Sequence, residues 1–230
     1  MRPRILVNFA SSIDGKINPA PEQRPPRFVM SRAREDLDRL VELRGRGDAI
    51  LIGASNLRAD NPDLAVTAGE RARRRDAGQA EPLRIVVTSA GDGLSPEMKM
   101  FDPARGGPAV VAHAARMPAA TRHLLGQAAR LVELGEDAVD ISRLLAWLII
   151  DARVETVVCE GGGDLVARLF AARAVDELFL TVVPRVLGGV HAPTLAGGPG
   201  FDPDQIPDPQ LGSLERVGDE LFLRYDFTWS

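Results

Sequence analysis

Short apolar runs alternate with amphipathic ones along most of the chain. Residues 5–9, 49–52, 83–87, 109–111, 131–134 and 154–159 are apolar and mostly β-branched, which predicts short buried strands. Residues 33–44 read as a helix. Asp140 stands at the N-cap of another, in which Ile141, Leu144, Leu145, Leu148 and Ile149 fall on one face. Strands alternating with helices imply crossover connections on a largely parallel sheet. From Asp176 onward the pattern changes: residues 178–183 and 221–227 read as strands, with a Gly/Pro-rich loop over residues 184–209 and no helix in between. Those last strands are expected to pair antiparallel and to form the sheet edge. Residues 19–26 and 68–81 read as mobile loops.

A chain of 230 residues suffices for one large α/β domain or two small ones; one is expected. Its 45% hydrophobic and 26% charged residues are soluble-globular values, which argues against disorder. A net charge of −4 gives no footprint for nucleic acid, and the run Arg71, Arg73, Arg74, Arg75 reads as a solvated loop. No apolar stretch approaches the roughly 18 residues of a membrane span, so a cytoplasmic protein is expected. The one cysteine, Cys159, excludes an internal disulfide and reads as a buried, inert thiol. His113, His123 and His191 are scattered and the His/Cys signature of a zinc deaminase is absent, so no metal is expected.

The motif that carries most chemistry is Cys159-Glu160-Gly161-Gly162-Gly163-Asp164, between a strand-like run and the amphipathic run Leu165 to Phe170. A strand, a glycine turn and a helix start form an anion site, because glycines admit a ligand close to the backbone and helix N–H groups favour phosphate. Val166 stands where a dinucleotide fingerprint has its third glycine, so an ordinary Gly-rich turn is the alternative reading. Polar segments fall where three further strands should end: Ala10-Ser11-Ser12-Ile13-Asp14-Gly15-Lys16, Gly53-Ala54-Ser55-Asn56-Leu57-Arg58-Ala59-Asp60-Asn61-Pro62, and Thr88-Ser89. In an open α/β sheet the ligand crevice lies outside those carboxyl ends.

The order and spacing of Ser-Ser-x-Asp-Gly-Lys, Asp-Asn-Pro, Glu-Gly-Gly and Val183-Pro184-Arg185-Val186-Leu187-Gly188-Gly189 resemble the riboflavin-pathway pyrimidine reductases over residues 5–227. The resemblance implies a dihydrofolate-reductase-like fold: a single three-layer α/β/α domain with a mixed, mostly parallel sheet. It implies hydride transfer from NADPH to the ribose C1′ of a ring-opened ribosylaminopyrimidine phosphate, giving the ribityl phosphate. With no deaminase segment, the chain resembles a stand-alone reductase. Ala10, Asn56, Asp60 and Ser89 would lie along the cofactor, with Gly161, Gly162, Gly163, Asp164 and Leu165 around its pyrophosphate. Glu160 would hold the aminopyrimidine and Leu64 would pack on the ring. Arg44, near the core-facing line of Leu37 and Val41, would bind the substrate phosphate as a bidentate fork. Phe28 matches an aromatic position of some relatives. The relatives often pair through their late strands, so a homodimer is expected.

Local readings stand beside several of these roles. Asp60 also suits a turn ahead of Asn61-Pro62, Ser89 a turn before Gly91, and Arg44 a charge at a helix C-terminus. Asp14 and Lys16 are the candidates to influence the charge that changes as hydride reaches an iminium-like carbon, and Asp14-Gly15 is also a good turn pair. The chain departs from many relatives at Asn56, where they carry Thr, and at Thr67, where they carry an arginine for the substrate phosphate. A related reductase of another pterin-like heterocycle, and a nucleotide-binding protein without turnover, are therefore the alternatives.

Overall fold

Strand and helix follow one another from Arg4 to Ala171 in the computed structural model, which describes residues 2–25 and 28–229. In chain order the elements are β1 (Arg4–Ser12), α1 (Arg34–Arg46), β2 (Ala49–Gly53), α2 (Ala54–Asp60), α3 (Ala68–Asp76), β3 (Leu83–Thr88), β4 (Ala109–His113) and α4 (Ala119–Leu125). They continue with β5 (Arg130–Glu133), α5 (Ile141–Ile150), β6 (Thr156–Cys159), α6 (Gly163–Ala171), β7 (Glu177–Val183), β8 (Gln210–Val217) and β9 (Glu220–Asp226). Two compact units result, each assembled from separate stretches of chain. One comprises Val41–Gly162 and the segment ending at Arg4; the other comprises Ile5–Leu40 and the chain from Gly163 onward.

In the first unit, parallel strands lie in the order β5-β4-β3-β2-β6. Helical crossovers impose that direction, because a tight turn cannot join parallel neighbours. Ile50, Ile52, Leu57, Val86, Met100 and Val111 form part of a dry cluster there, each full burial being worth roughly 1.5–3 kcal/mol. Helix α5 begins as its sequence indicates: the Asp140 carboxylate accepts from Arg143 N at 3.0 Å, and Ile141, Leu144, Leu145 and Leu148 are buried together with Trp147. Residues 68–76, expected as loop, are instead helix α3, whose N-cap Thr67 accepts from Glu70 N at 3.2 Å. Ion pairs Arg73–Glu70 and Arg71–Glu81 hold its flanks and Arg74 is buried, so the arginine run is ordered rather than a solvated loop. Part of the other expected loop, Pro26, lies outside the described residues.

In the second unit, β1 and β7 run parallel, β9 pairs antiparallel with β7, and β8 pairs antiparallel with β9. The antiparallel pairing of the late strands is as expected, but the edge is not. β7 lies between β1 and β9, and the outer strand is β8, whose residues are exposed along nearly its whole length. Helix α6 buries Leu165, Val166, Leu169 and Phe170. Leu37 is 59% exposed, so the expected core line along α1 is wrong there, and the buried positions of that helix are Leu43 and Gly45.

Candidate active site

In the first unit the carboxyl ends of β2 and β6 are locked together. Glu160 N donates to Leu51 O at 2.9 Å, and Gly53 N donates to Gly161 O at 2.8 Å. That lock fixes the Glu160 backbone where the strand gives way to Gly161 and Gly162, whose φ values of 104° and 99° suit glycine and strain other residues. The Glu160 side chain reaches Arg44, in the last turn of α1. Nε donates to Oε1 at 2.5 Å and Nη2 to Oε2 at 2.7 Å, a bidentate pair with side chains only 12% and 10% exposed. The third arm, Nη1, donates to Ala65 O at 2.9 Å and stands 3.8 Å from Asp63. Burial disfavours the Arg44 charge, but the pull and hydrogen bonds of Glu160, with a smaller pull from Asp63, outweigh it and raise its pKa.

Asn56 joins this cluster, its amide donating to Glu160 O at 3.5 Å. Asp60 is the exposed last residue of α2, and the turn after it is made by Asn61 at φ 43°. Ser89 is partly buried just past β3, and its carbonyl accepts from Ala114 N at 3.3 Å. Leu64 departs from its assigned role. Its side chain is 1% exposed within the core cluster, so it has no face left for a ligand ring, and its backbone is held at φ 55°. Cys159 is wholly buried and burial pushes its thiol up to about 12, which makes it inert. Among the described residues no three or more His, Cys, Asp or Glu side chains are grouped to hold a metal ion.

In the second unit, β1 ends in a tight hydrogen-bonded turn. Ser12 Oγ donates to Asp14 Oδ1 at 2.5 Å, Lys16 N donates to Ser12 Oγ at 3.0 Å, and Ser12 N donates to Lys16 O at 2.9 Å. Asp14 also accepts from Leu187 N at 3.1 Å and Gly188 N at 2.7 Å. Ser12 above all, then those two amides, hold the Asp14 pKa down to about 2. It is a carboxylate at neutral pH and cannot act as a proton donor there; it fastens the loop after β7 to the end of β1. Ala10 lies within β1, partly buried. Phe28 is partly buried under the Arg185 guanidinium, 5.8 Å from its ring centre.

Gly163, Asp164 and Leu165 open α6 in this unit. A side chain at Gly163 would collide with Thr194 O at 2.4 Å, and the Asp164 carboxylate lies against Gly197. A cavity of about 550 Å³ follows α6, lined by Asp164, Ala167 and Arg168 and, across from them, by Gly198, Phe201 and Gln205. Neither Asp63 nor Ser12 received a role in the sequence reading. Asp63 is marked there only by its place beside Leu64, and Ser12 by its place in the Ser-Ser-x-Asp-Gly-Lys motif.

The family model described as the RibD C-terminal domain matches residues 3–223. The chain is 31% identical over 221 residues, 95% of each sequence, to the 2,5-diamino-6-ribosylamino-4(3H)-pyrimidinone 5′-phosphate reductase of Archaeoglobus fulgidus. Among solved structures it resembles a pyrimidine reductase-like protein of Corynebacterium diphtheriae with a TM-score of 0.79 and 19% identity, covering 99% of this chain and 93% of that one. It also resembles RibD of Acinetobacter baumannii with a TM-score of 0.75 and 21% identity, covering 99% of this chain but 58% of that one. At these identities the structures establish a shared fold.

Proposed function

Because the chain belongs to the RibD C-terminal domain family, we propose that it is the reductase that converts a ribosylaminopyrimidine 5′-phosphate to the ribityl phosphate in riboflavin biosynthesis, using NADPH. The observation that carries this reading is the Glu160 carboxylate, fixed at the end of β6 immediately before two glycines at positive φ and the first turn of a nine-residue helix. The residues fit a dinucleotide. Leading N–H groups of a helix have no intrahelical acceptor, and a pyrophosphate is a matching acceptor. The cavity along α6, with an aromatic ring at Phe201 and a cation at Arg168, is a concave site beside that helix and supports a bound ligand there.

The bound cofactor supplies the hydride; the protein supplies position and a polarised pocket. Glu160 accepts hydrogen bonds from the amino groups of the pyrimidine, and the bidentate hydrogen bonds of Arg44 keep that side chain aimed. Asp14 remains an anion throughout and holds its loop in place, so the proton that converts the neutral imine to the iminium that hydride reduces comes from another donor. The whole chain acts as one reductase module, cytoplasmic and homodimeric, with β8 as the pairing edge.

Thr67 favours a second reading, a related reductase of another heterocycle. It caps α3 instead of offering a guanidinium, and Arg44 already holds a carboxylate. Oxidation of NADPH in the presence of the ribosylaminopyrimidine phosphate tests the proposal. Turnover is the expected result. Turnover only of other heterocycles supports the second reading, and cofactor binding without turnover on any of them leaves a nucleotide-binding protein.

A further inference from the structure

Arg84 heads the largest fully buried side chains, 1% exposed as the second residue of β3 between apolar neighbours. Its partners are backbone carbonyls. Nε donates to Gly107 O at 2.6 Å, Nη2 to Asp102 O at 3.1 Å and to Gly106 O at 3.2 Å, and Nη1 to Asp63 O at 3.3 Å. Burial lowers its pKa, and the more distant pull of Asp63, Glu81 and Asp102 offsets only part of that. A well-packed apolar side chain would serve a sheet interior at lower cost. A buried cation retained there needs another reason.

The reason lies at Asp63. The segment Asp63-Leu64-Ala65 carries a strained residue, Leu64 at φ 55°, and is gripped on two sides. Arg84 holds the Asp63 carbonyl from within the unit. Arg44 takes the Ala65 carbonyl at 2.9 Å and lies 3.8 Å from the Asp63 carboxylate, with its other two donors on Glu160. We infer that Arg84 is a positioning residue for the substrate end of the site. By fixing the carbonyls of the Asp63 segment it fixes where the Arg44 guanidinium lies, and hence the direction in which Glu160 points. This assignment rests on the reading of Arg44 and Glu160 as substrate residues. Arg84 itself touches no reacting group.

The test is Arg84→Lys, which keeps the charge but loses the planar fork. The expected result is a substrate KM raised by about ten-fold, from a sub-ångström displacement of Arg44, with cofactor affinity unchanged within about two-fold. In an Arg44→Met background the same change should add less than about two-fold, because the two act in series. Equal losses for substrate and cofactor, or an undiminished effect in that background, would overturn the inference. Gly106→Ala provides a second route if the lysine variant does not fold. Its methyl would stand 3.4 Å from Ala65 Cβ and from Arg84 Cδ and Nε, crowding the clamp while leaving Arg84 in place. A smaller rise in the same KM is expected, and an unaltered KM counts against the clamp. Should the wild type turn over none of these heterocycles, the functional reading fails separately. The clamp is then judged by melting temperature: Arg84→Lys must lower it more in the wild type than in Arg44→Met, and equal decreases reject it.

Discussion

Under the proposed function two demands meet at Glu160, since one carboxylate satisfies a buried guanidinium and would also orient a ligand. Glu160→Gln keeps the shape and removes the charge, which leaves Arg44 uncompensated; losing one partner of such a buried pair costs up to about 3–5 kcal/mol. The variant is expected to fold with a lower melting temperature and to bind cofactor within about two-fold of wild type. Its kcat/KM should fall on the order of a hundredfold, because orientation of the ring is lost; steady-state kinetics beside a cofactor titration checks both. Unchanged kinetics would remove Glu160 from the site. Asp14 gives a pH signature. Its pKa is depressed to about 2 from 3.8, so its contribution to stability is fully present above about pH 4 and is lost as pH falls through about 2. The melting-temperature gap between wild type and Asp14→Asn should therefore shrink over that interval. A constant gap would mean that the carboxylate charge is not what fastens the loop. The strand end, glycine turn and helix start around Glu160 were legible in the sequence because they depend on neighbours along the chain. The grip of Arg44 on Glu160 was not, since the partners lie 116 residues apart. Nor was the burial of Leu64, which depends on a backbone angle that residue type does not announce.

Among the elements, those with a strong apolar signature were read correctly and those held by polar contacts were missed. Most short strands of the first unit are apolar runs rich in β-branched residues, β5 with its exposed Arg130 and Glu133 being an exception, and α5 displays both its cap and its stripe. Helix α3 has no such stripe: Ala-Gly-Glu-Arg-Ala-Arg-Arg-Arg-Asp is kept helical by the Thr67 cap, by Arg73–Glu70 and by the buried Arg74, whose Nη1 donates to Gly45 O at 2.9 Å. Strand β8 shows no alternation because it is exposed almost throughout, so nothing in Gln-Leu-Gly-Ser-Leu-Glu-Arg-Val marks a face. Thr67→Arg introduces the arginine that the family resemblance implies for the substrate phosphate and removes the α3 cap, at about 1 kcal/mol. A lower melting temperature together with a lower KM for the phosphorylated substrate is expected; an unchanged KM would favour a substrate without that phosphate.

For the whole molecule, the chain crosses between the two units after Arg4, in the middle of α1 and again between Gly162 and Gly163, so neither unit is a contiguous segment that could be cut out. The outer edge at β8 carries Leu211 and Leu214 at 54% and 57% exposure, and unpaired strand edges with apolar side chains favour association. If the wild type forms the proposed homodimer in light scattering, Leu214→Lys should convert it to a monomer, whereas a monomeric wild type would refute the pairing edge. Cys159 has a practical consequence. It is the sole thiol in the chain, it is wholly enclosed between the strand ladder and the core, and burial pushes its pKa up to about 12, so it carries almost no thiolate while enclosed. An alkylating reagent can therefore react only after β6 has left the sheet. Its labelling rate is a built-in clock for the opening of the first unit, and ligands that close the glycine turn should slow it.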